Sequence, residues 1–277
     1  MKNKLHCLLC AVLFVCLSCA DLYAAQEKRV VLNSNGNKLV GIISRPDENN
    51  MQPLVILLHG LGGSKDSQLI RNLSDTLVYN GVATIRFDFD GHGESDGAQT
   101  DMTVLTEVDD AETFIEYAEG LDWVKSITLV GHSQGGLVAG LVAGKLGAAR
   151  IPYLVQLAPA AIIADVWKSG KVAGQQIFDP SNPPAEYVFL NSFHLSPKYL
   201  EDSKKIEVWQ AAEKYNGKVL LFQGDGDVLV PADYARKYQQ AYKNADVRIL
   251  SGEDHLFTHN QTQVITDIVR FVLKNNQ

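Results

Sequence analysis

The chain has 277 residues, 46% hydrophobic and 21% charged, enough for one well-buried domain with an insertion, and its composition is neither disordered, repetitive nor fibrous. Its net charge is −7, with acidic and basic residues interspersed and no Lys/Arg run, which argues against nucleic acid or an acidic membrane surface as a partner.

At the N-terminus, Lys2 and Lys4 precede an apolar stretch from Leu5 to Ala20, followed by Leu22-Tyr23-Ala24-Ala25. A positive start, a short apolar region and small residues for cleavage read as a signal peptide over 1–25, too short for a membrane span. The mature chain, 26–277, is therefore expected to be exported to the periplasm or the exterior. Cys7, Cys10, Cys16 and Cys19 all fall in the removed segment, so no disulfide, Cys nucleophile or Cys-bound metal is expected. Leu17-Ser18-Cys19 partly matches a lipobox, although Cys16 fits its outer position poorly; lipid attachment through Cys19 is the second reading.

Lys28 to Ser34 and Lys38 to Arg45 alternate apolar and polar residues around Asn35-Gly36-Asn37, the pattern of an antiparallel hairpin. Leu54 to Leu58 is a continuous apolar run suited to a strand buried on both faces of a parallel sheet. His59-Gly60-Leu61-Gly62-Gly63-Ser64 follows, then a helix to about Tyr79, a strand over Val82 to Phe87, and a Gly/Asp-rich loop to Gly97. Acidic residues near Thr103 suit the positive end of a helix running to about Glu119.

Ile127 to Val130 reads as a buried strand entering Gly131-His132-Ser133-Gln134-Gly135-Gly136, and a helix starts at Leu137. Gly-x-Ser-x-Gly between a strand and a helix puts a serine on a strained turn with its hydroxyl exposed, and glycines at 131 and 135 leave room for the turn. Strands at Ile151 to Leu157, Val219 to Phe222 and Val247 to Leu250 follow, with helices at Ala232 to Lys243 and Gln261 to Lys274. This alternation implies a doubly wound, mostly parallel α/β sheet of about eight strands. It is interrupted over 162–215, too long for a simple connection. That insertion is expected to carry a helix over Asp165 to Gln176, a Pro-rich passage and a helix from Pro197 to Tyr215. Because it leaves the carboxyl edge of a strand, where open sheets bind ligands, it reads as a lid.

A serine nucleophile needs a base held by a third group. Asp227 and His255 lie in loops after later strands, in the order Ser, Asp, His found on this sheet type. Asp225 competes with Asp227, but the Gly-x-x-Asp spacing before Val230-Pro231 favours Asp227. The second competence needed is oxyanion binding, assigned by position to the backbone amides of Leu61 and Gln134. His59 and His92 read as structural hydrogen-bonders, His132 as pointing away from Ser133. No histidine pair has metal-ligand spacing with a carboxylate, so neither metal nor cofactor is expected.

With those residues, and with Phe87-Asp88-Phe89-Asp90-Gly91-His92-Gly93-Glu94-Ser95-Asp96-Gly97, Leu157-Ala158-Pro159-Ala160-Ala161 and Gly252-Glu253-Asp254-His255-Leu256-Phe257, the chain resembles the α/β-hydrolase family. Within it the chain is similar to bacterial cinnamoyl (feruloyl) esterases, whose secreted relatives release hydroxycinnamates from plant cell-wall esters. The resemblance implies that Asp165 and Tyr199, in the inserted lid, contact the phenolic hydroxyl of the substrate. Asp165 matches only with a one-residue gap, and Leu61 stands where the family has an aromatic residue. The expectation is an exported serine esterase acting on a small-molecule ester, without nucleic acid or a membrane span; a homodimer is left open. A lipase, acylglycerol hydrolase or peptidase of the same fold, and a non-catalytic binding protein on that scaffold, are the alternatives.

Overall fold

β1 (Gln26–Ser34) and β2 (Asn37–Arg45) form the antiparallel hairpin, turning through Asn35 and Gly36 at φ 51° and 89°, a left-handed pair that the Asn-Gly dipeptide tolerates. The computed structural model describes residues 26–172, 174–189 and 192–276, so the signal-peptide and Cys19 readings lie outside the described residues. The chain continues with β3 (Gln52–Leu58), α1 (Gln68–Tyr79), β4 (Ala83–Phe87), α2 (Val104–Glu119), β5 (Val124–His132), α3 (Gln134–Leu146) and β6 (Tyr153–Leu157). The insertion holds α4 (Ile163–Ser169), β7 (Lys171–Val172), β8 (Gln175–Gln176), β9 (Tyr187–Phe189), β10 (Phe193–Leu195), α5 (Pro197–Ser203) and α6 (Val208–Lys214). β11 (Lys218–Gly224), α7 (Asp233–Ala241), β12 (Ala245–Leu250) and α8 (Gln261–Asn275) complete the chain.

Eight strands make one sheet in the order β1-β2-β4-β3-β5-β6-β11-β12. β1 and β2 run antiparallel and β2 pairs antiparallel with β4; the strands from β4 onward are parallel. The apolar run of β3 is fully buried because helices cover both faces of the sheet. On one face α1 and α8 pack Leu73, Leu77, Ile268 and Val272 against Val55, Leu57 and Val130. On the other, α2, α3 and α7 bring Phe114, Leu137, Val142 and Tyr238 against Ile56, Leu129 and Leu221. Each such side chain contributes roughly 1.5–3 kcal/mol on burial.

Two expectations about the insertion are corrected. The first helix stops at Ser169, because Gly170 takes a left-handed cap (φ 64°), and the chain turns back as the short β7-β8 pair, with Gly174 at φ 77°. The helix expected over Pro197 to Tyr215 is two helices. Pro197 starts α5, and the chain leaves helical geometry after Ser203 so that Ile206 can bury among core residues before α6 begins.

Candidate active site

The carboxyl ends of β5, β11 and β12 open onto one edge of the sheet, and loops there bring Ser133, Asp227 and His255 together. Ser133 lies between β5 and α3 at φ 56°, ψ −121°. A β-carbon disfavours that conformation, and it persists because the surroundings leave the chain no alternative. A Cβ on Gly131 would sit 2.1 Å from the Gly135 carbonyl oxygen, and one on Gly135 would sit 2.3 Å from the His59 carbonyl oxygen. The two motif glycines are therefore required by backbone packing against backbone.

His255 Nε2 is 2.9 Å from Ser133 Oγ, and His255 Nδ1 is 2.7 Å from Asp227 Oδ2. The Asp227 side chain is wholly buried. Its Oδ1 accepts from the amides of Leu229 and Val230, both at 2.9 Å, and its Oδ2 also accepts from Gln223 Nε2 at 2.9 Å. Burial alone would raise this carboxyl, but the His255 bond and charge together with those amides hold it below the usual carboxylate range. An ionised Asp227 fixes the tautomer in which His255 donates from Nδ1 and leaves Nε2 free to accept the serine proton. Asp225, its competitor in the sequence, is exposed and turned to the Gly252 amide.

Among the described residues the amides of Leu61 and Gln134 have no acceptor. Gln134 is the first residue of α3, where amides point outward from the helix start. The glycine-rich loop carrying Leu61 is held from below. Gly62 N donates to His92 Nε2 at 3.2 Å, and Lys65 N and Nζ donate to Asp88 Oδ1 and Oδ2 at 2.7 and 2.8 Å. A Cβ on Gly60 would lie 2.9 Å from Ser133 Cβ, so glycine there lets the loop approach the serine.

The remaining histidines have definable positions. His59 Nδ1–H donates to the Gly60 carbonyl, and its Nε2 accepts from Phe89 N. Burial holds His59 well below its ordinary pKa and lowers His92 to about 4. His132 Nε2–H donates to the His255 carbonyl at 2.8 Å. Burial first, and the neighbouring His255 second, lower His132 to about 4, so it stays a neutral donor. Its spacing next to Ser133 gave no sign of this contact with the backbone of His255.

A cavity of about 670 Å³ opens over Ser133. The insertion supplies an apolar wall that includes Ile163, Val166, Phe178, Phe189 and Leu195, along with the hydroxyl-bearing Tyr187 and Tyr199. Phe193 of β10 stacks on His92 at 4.5 Å, so the insertion also packs on the residue that holds Gly62. Tyr199 lines the cavity, with its Oη bonded to Gln134 Oε1. Asp165 does not line it: its Oδ2 accepts from Tyr234 Oη on α7 at 2.6 Å, which turns the carboxylate away from the cavity.

Among the described residues one set of side chains has the spacing for a cation, Glu253, Asp254 and His259. The Glu253 oxygens already accept the amides of Asp254, His259 and Asn260 together with Asn260 Nδ2. Its lone pairs secure the turn into α8 and are not available to a metal.

The family model described as serine aminopeptidase, S33, matches residues 49–184. Est1E from Butyrivibrio proteoclasticus, solved with ferulic acid bound, superimposes with a TM-score of 0.83 at 32% identity, over 88% of this chain and 98% of that one. Mouse alpha/beta hydrolase domain-containing protein 10 shares the fold, with a TM-score of 0.72 at 18% identity over 89% of this chain and 99% of that one. An uncharacterized 31.7 kDa protein of Escherichia coli is 34% identical over 93 residues, 33% of this chain; the match spans 32% of that relative's length.

Proposed function

The chain belongs to the α/β-hydrolase family, and from that premise we propose that it is a serine carboxylesterase cleaving hydroxycinnamoyl esters through an acyl-enzyme on Ser133. The observation that carries the reading is the continuous run of hydrogen bonds from Asp227 through His255 to the Ser133 hydroxyl. Ser133 Oγ adds to the ester carbonyl carbon as His255 Nε2 takes the hydroxyl proton. The carbonyl electron pair moves onto oxygen, where the Leu61 and Gln134 amides donate; each such donor contributes roughly 3–4 kcal/mol to the transition state. Collapse expels the alcohol, which takes the proton from Nε2. Water then adds to the acyl-enzyme by the same route, releasing the acid and restoring Ser133. The sequence of steps consumes one water and needs no cofactor.

Two features support the acyl half of this reading. The insertion, read as a lid, offers a wall of aromatic and branched side chains with tyrosine hydroxyls as its polar points, suited to an aromatic acid carrying a hydroxyl. Est1E, at 32% identity, was solved with ferulic acid. An aminopeptidase of this fold would need a carboxylate free to hold the terminal ammonium of its substrate. Among the described lining residues the acidic one is Asp254, whose oxygens are engaged by Leu256 N, Thr258 N and Thr258 Oγ1. Export through a signal peptide over 1–25 belongs to the same proposal, and among the described residues no helix is long and apolar enough to cross a membrane.

The test is steady-state hydrolysis of methyl ferulate and p-nitrophenyl butyrate by the mature protein and by Ser133→Ala. A higher kcat/KM for methyl ferulate, with the variant at least a thousandfold slower, is the expected result. Cleavage of the butyrate alone removes the hydroxycinnamoyl assignment and leaves the esterase. Wild-type inactivity on both removes the esterase.

A further inference from the structure

Side chains of β11 alternate between the two apolar faces of the sheet: Leu220 and Phe222 pack with α1 and α8, Val219 and Leu221 with α2, α3 and α7. The next position on the second face is Gln223, fully buried where the alternation calls for an apolar residue. Its carboxamide is satisfied at one end only. Nε2 donates to Asp227 Oδ2 at 2.9 Å and to the Val230 carbonyl at 3.0 Å, with the Gly224 carbonyl 3.4 Å away. Oε1 has no hydrogen-bond partner among the described residues. Turning the amide over gives no relief, because every group at the nitrogen end is an acceptor. An unmet buried acceptor is costly, and a methionine would fill much the same space without one. What Gln223 supplies in return is its donor to Asp227.

Asp227 Oδ1 accepts from Leu229 N and Val230 N, and Oδ2 from Gln223 Nε2 and His255 Nδ1. These donors match the roughly four lone-pair sites of an ionised carboxylate. Gln223 and His255 therefore share one oxygen, and the bond to Val230 holds the carboxamide against the far end of the same turn.

We propose that Gln223 is a positioning residue that occupies the second lone pair of Asp227 Oδ2, limits how strongly Asp227 stabilises a protonated His255 ring, and so extends ester hydrolysis to lower pH. The inference rests on the esterase reading and deepens it, because it states what sets the acid limit of that reaction. A hydrogen bond donated to a carboxylate lowers its basicity, and a less basic carboxylate favours the imidazolium less. The ring then keeps Nε2 open to the serine proton further into acid. His132 also faces the pair, its ring centroid 5.0 Å from that of His255, but burial keeps it neutral. On the loop before α8, Glu253 is bonded to Asp254 N, His259 N and Asn260, and Asp254 to Leu256 N and Thr258. Asp225 is turned to the Gly252 amide. Of these groups none is hydrogen-bonded to Asp227 Oδ2, so none stands in for Gln223.

The test compares wild type with Gln223→Met, which keeps the side-chain length and removes the donor, and with Gln223→His, which returns a ring N–H. The pH profile of kcat/KM on p-nitrophenyl butyrate should have its acid limb moved up by about half a pH unit or more in Gln223→Met. In Gln223→His the limb should lie at or below the wild-type position. The plateau kcat of Gln223→Met falls a few-fold with KM kept; a merely structural role would lower the plateau or raise KM and leave the limb in place. The same substitutions in Ser133→Ala are followed by proton NMR, which reads the His255 Nδ1 proton without turnover. Gln223→Met should move its titration to higher pH and its resonance downfield. Esters left intact by wild type would overturn the esterase reading and leave this measurement standing. If Gln223→Met does not fold, the Gln223 amide protons of Ser133→Ala give the readout: one is expected downfield, titrating with the midpoint of His255. A limb and an NMR titration that Gln223→Met leaves in place, or Gln223 amide protons indifferent to the His255 titration, overturn the proposal.

Discussion

Ser133 holds φ 56° and ψ −121°, and what imposes this is the packing around it: glycines at 131 and 135 let β5, α3 and the loop after β3 meet backbone to backbone. Residues in such conformations store on the order of 1–3 kcal/mol. Ser133→Gly removes the β-carbon together with the hydroxyl proposed as the nucleophile. Chemical denaturation is expected to show it about 1 kcal/mol more stable than wild type while ester hydrolysis is lost; an unchanged or lower stability would mean the turn is not strained. His132 acts one bond away from the chemistry by holding the His255 carbonyl. A neutral hydrogen bond contributes roughly 1 kcal/mol, so His132→Phe should lower kcat about five- to tenfold with KM little changed, measured on p-nitrophenyl butyrate. A loss confined to KM would separate His132 from the placement of His255.

The insertion makes its contacts at several points, each different in kind. Phe193 stacks on His92, Tyr199 reaches Gln134, and α4 is tied to α7 by the Tyr234–Asp165 bond. That last bond joins a neutral donor to a half-exposed carboxylate, so its contribution to global stability is small. Tyr234→Phe should leave the melting temperature within about 2 °C, while limited proteolysis within 170–196 speeds up several-fold; equal cleavage rates would show that α4 is held by its apolar side alone. The insertion is also where the sequence was least legible. The parallel strands and the serine turn could be read because a continuous apolar run and a glycine either side of a serine each have few structural solutions. Gly170 and Gly174 mark the end of α4 and the β7-β8 turn, and the helix expected over Asp165 to Gln176 runs past both. Nothing local marks the break after Ser203, which the burial of Ile206 in a distant core dictates. Asp165 is the same lesson in a site residue. Its partner lies 69 positions away, and chain order carries no information about which side of a helix that partner occupies.

Across the whole molecule, the buried titratable groups pull stability in opposite directions as pH changes. His92 and His132, lowered to about 4 by burial, resist protonation in the fold but not in the unfolded chain, so each withdraws stability as pH falls from about 6.5 to 4. Asp110, raised to about 6 chiefly by burial, acts oppositely. Its penalty is fully present above pH 6, and it fades between about 6 and 4 as the folded carboxyl takes up its proton. Asp110→Asn keeps an oxygen for the Asp90 amide and removes the charge. Urea unfolding should show a gain of ~2–3 kcal/mol at pH 7.5 that has largely gone by pH 4.5. An equal gain at both pH values would assign the effect to packing.

The inserted segment leaves the sheet at β6 and re-enters it at β11, and these two strands are hydrogen-bonded neighbours. Its two stems are therefore side by side, whatever length of chain hangs between them. Ser133, Asp227 and His255 all lie outside it. The pairing of β6 with β11 is thus a socket that tolerates a change in the segment's length, while Ile206, Val208, Ala212 and Tyr215 at its end are packed in the core and have to be kept by any insert borrowed from a relative.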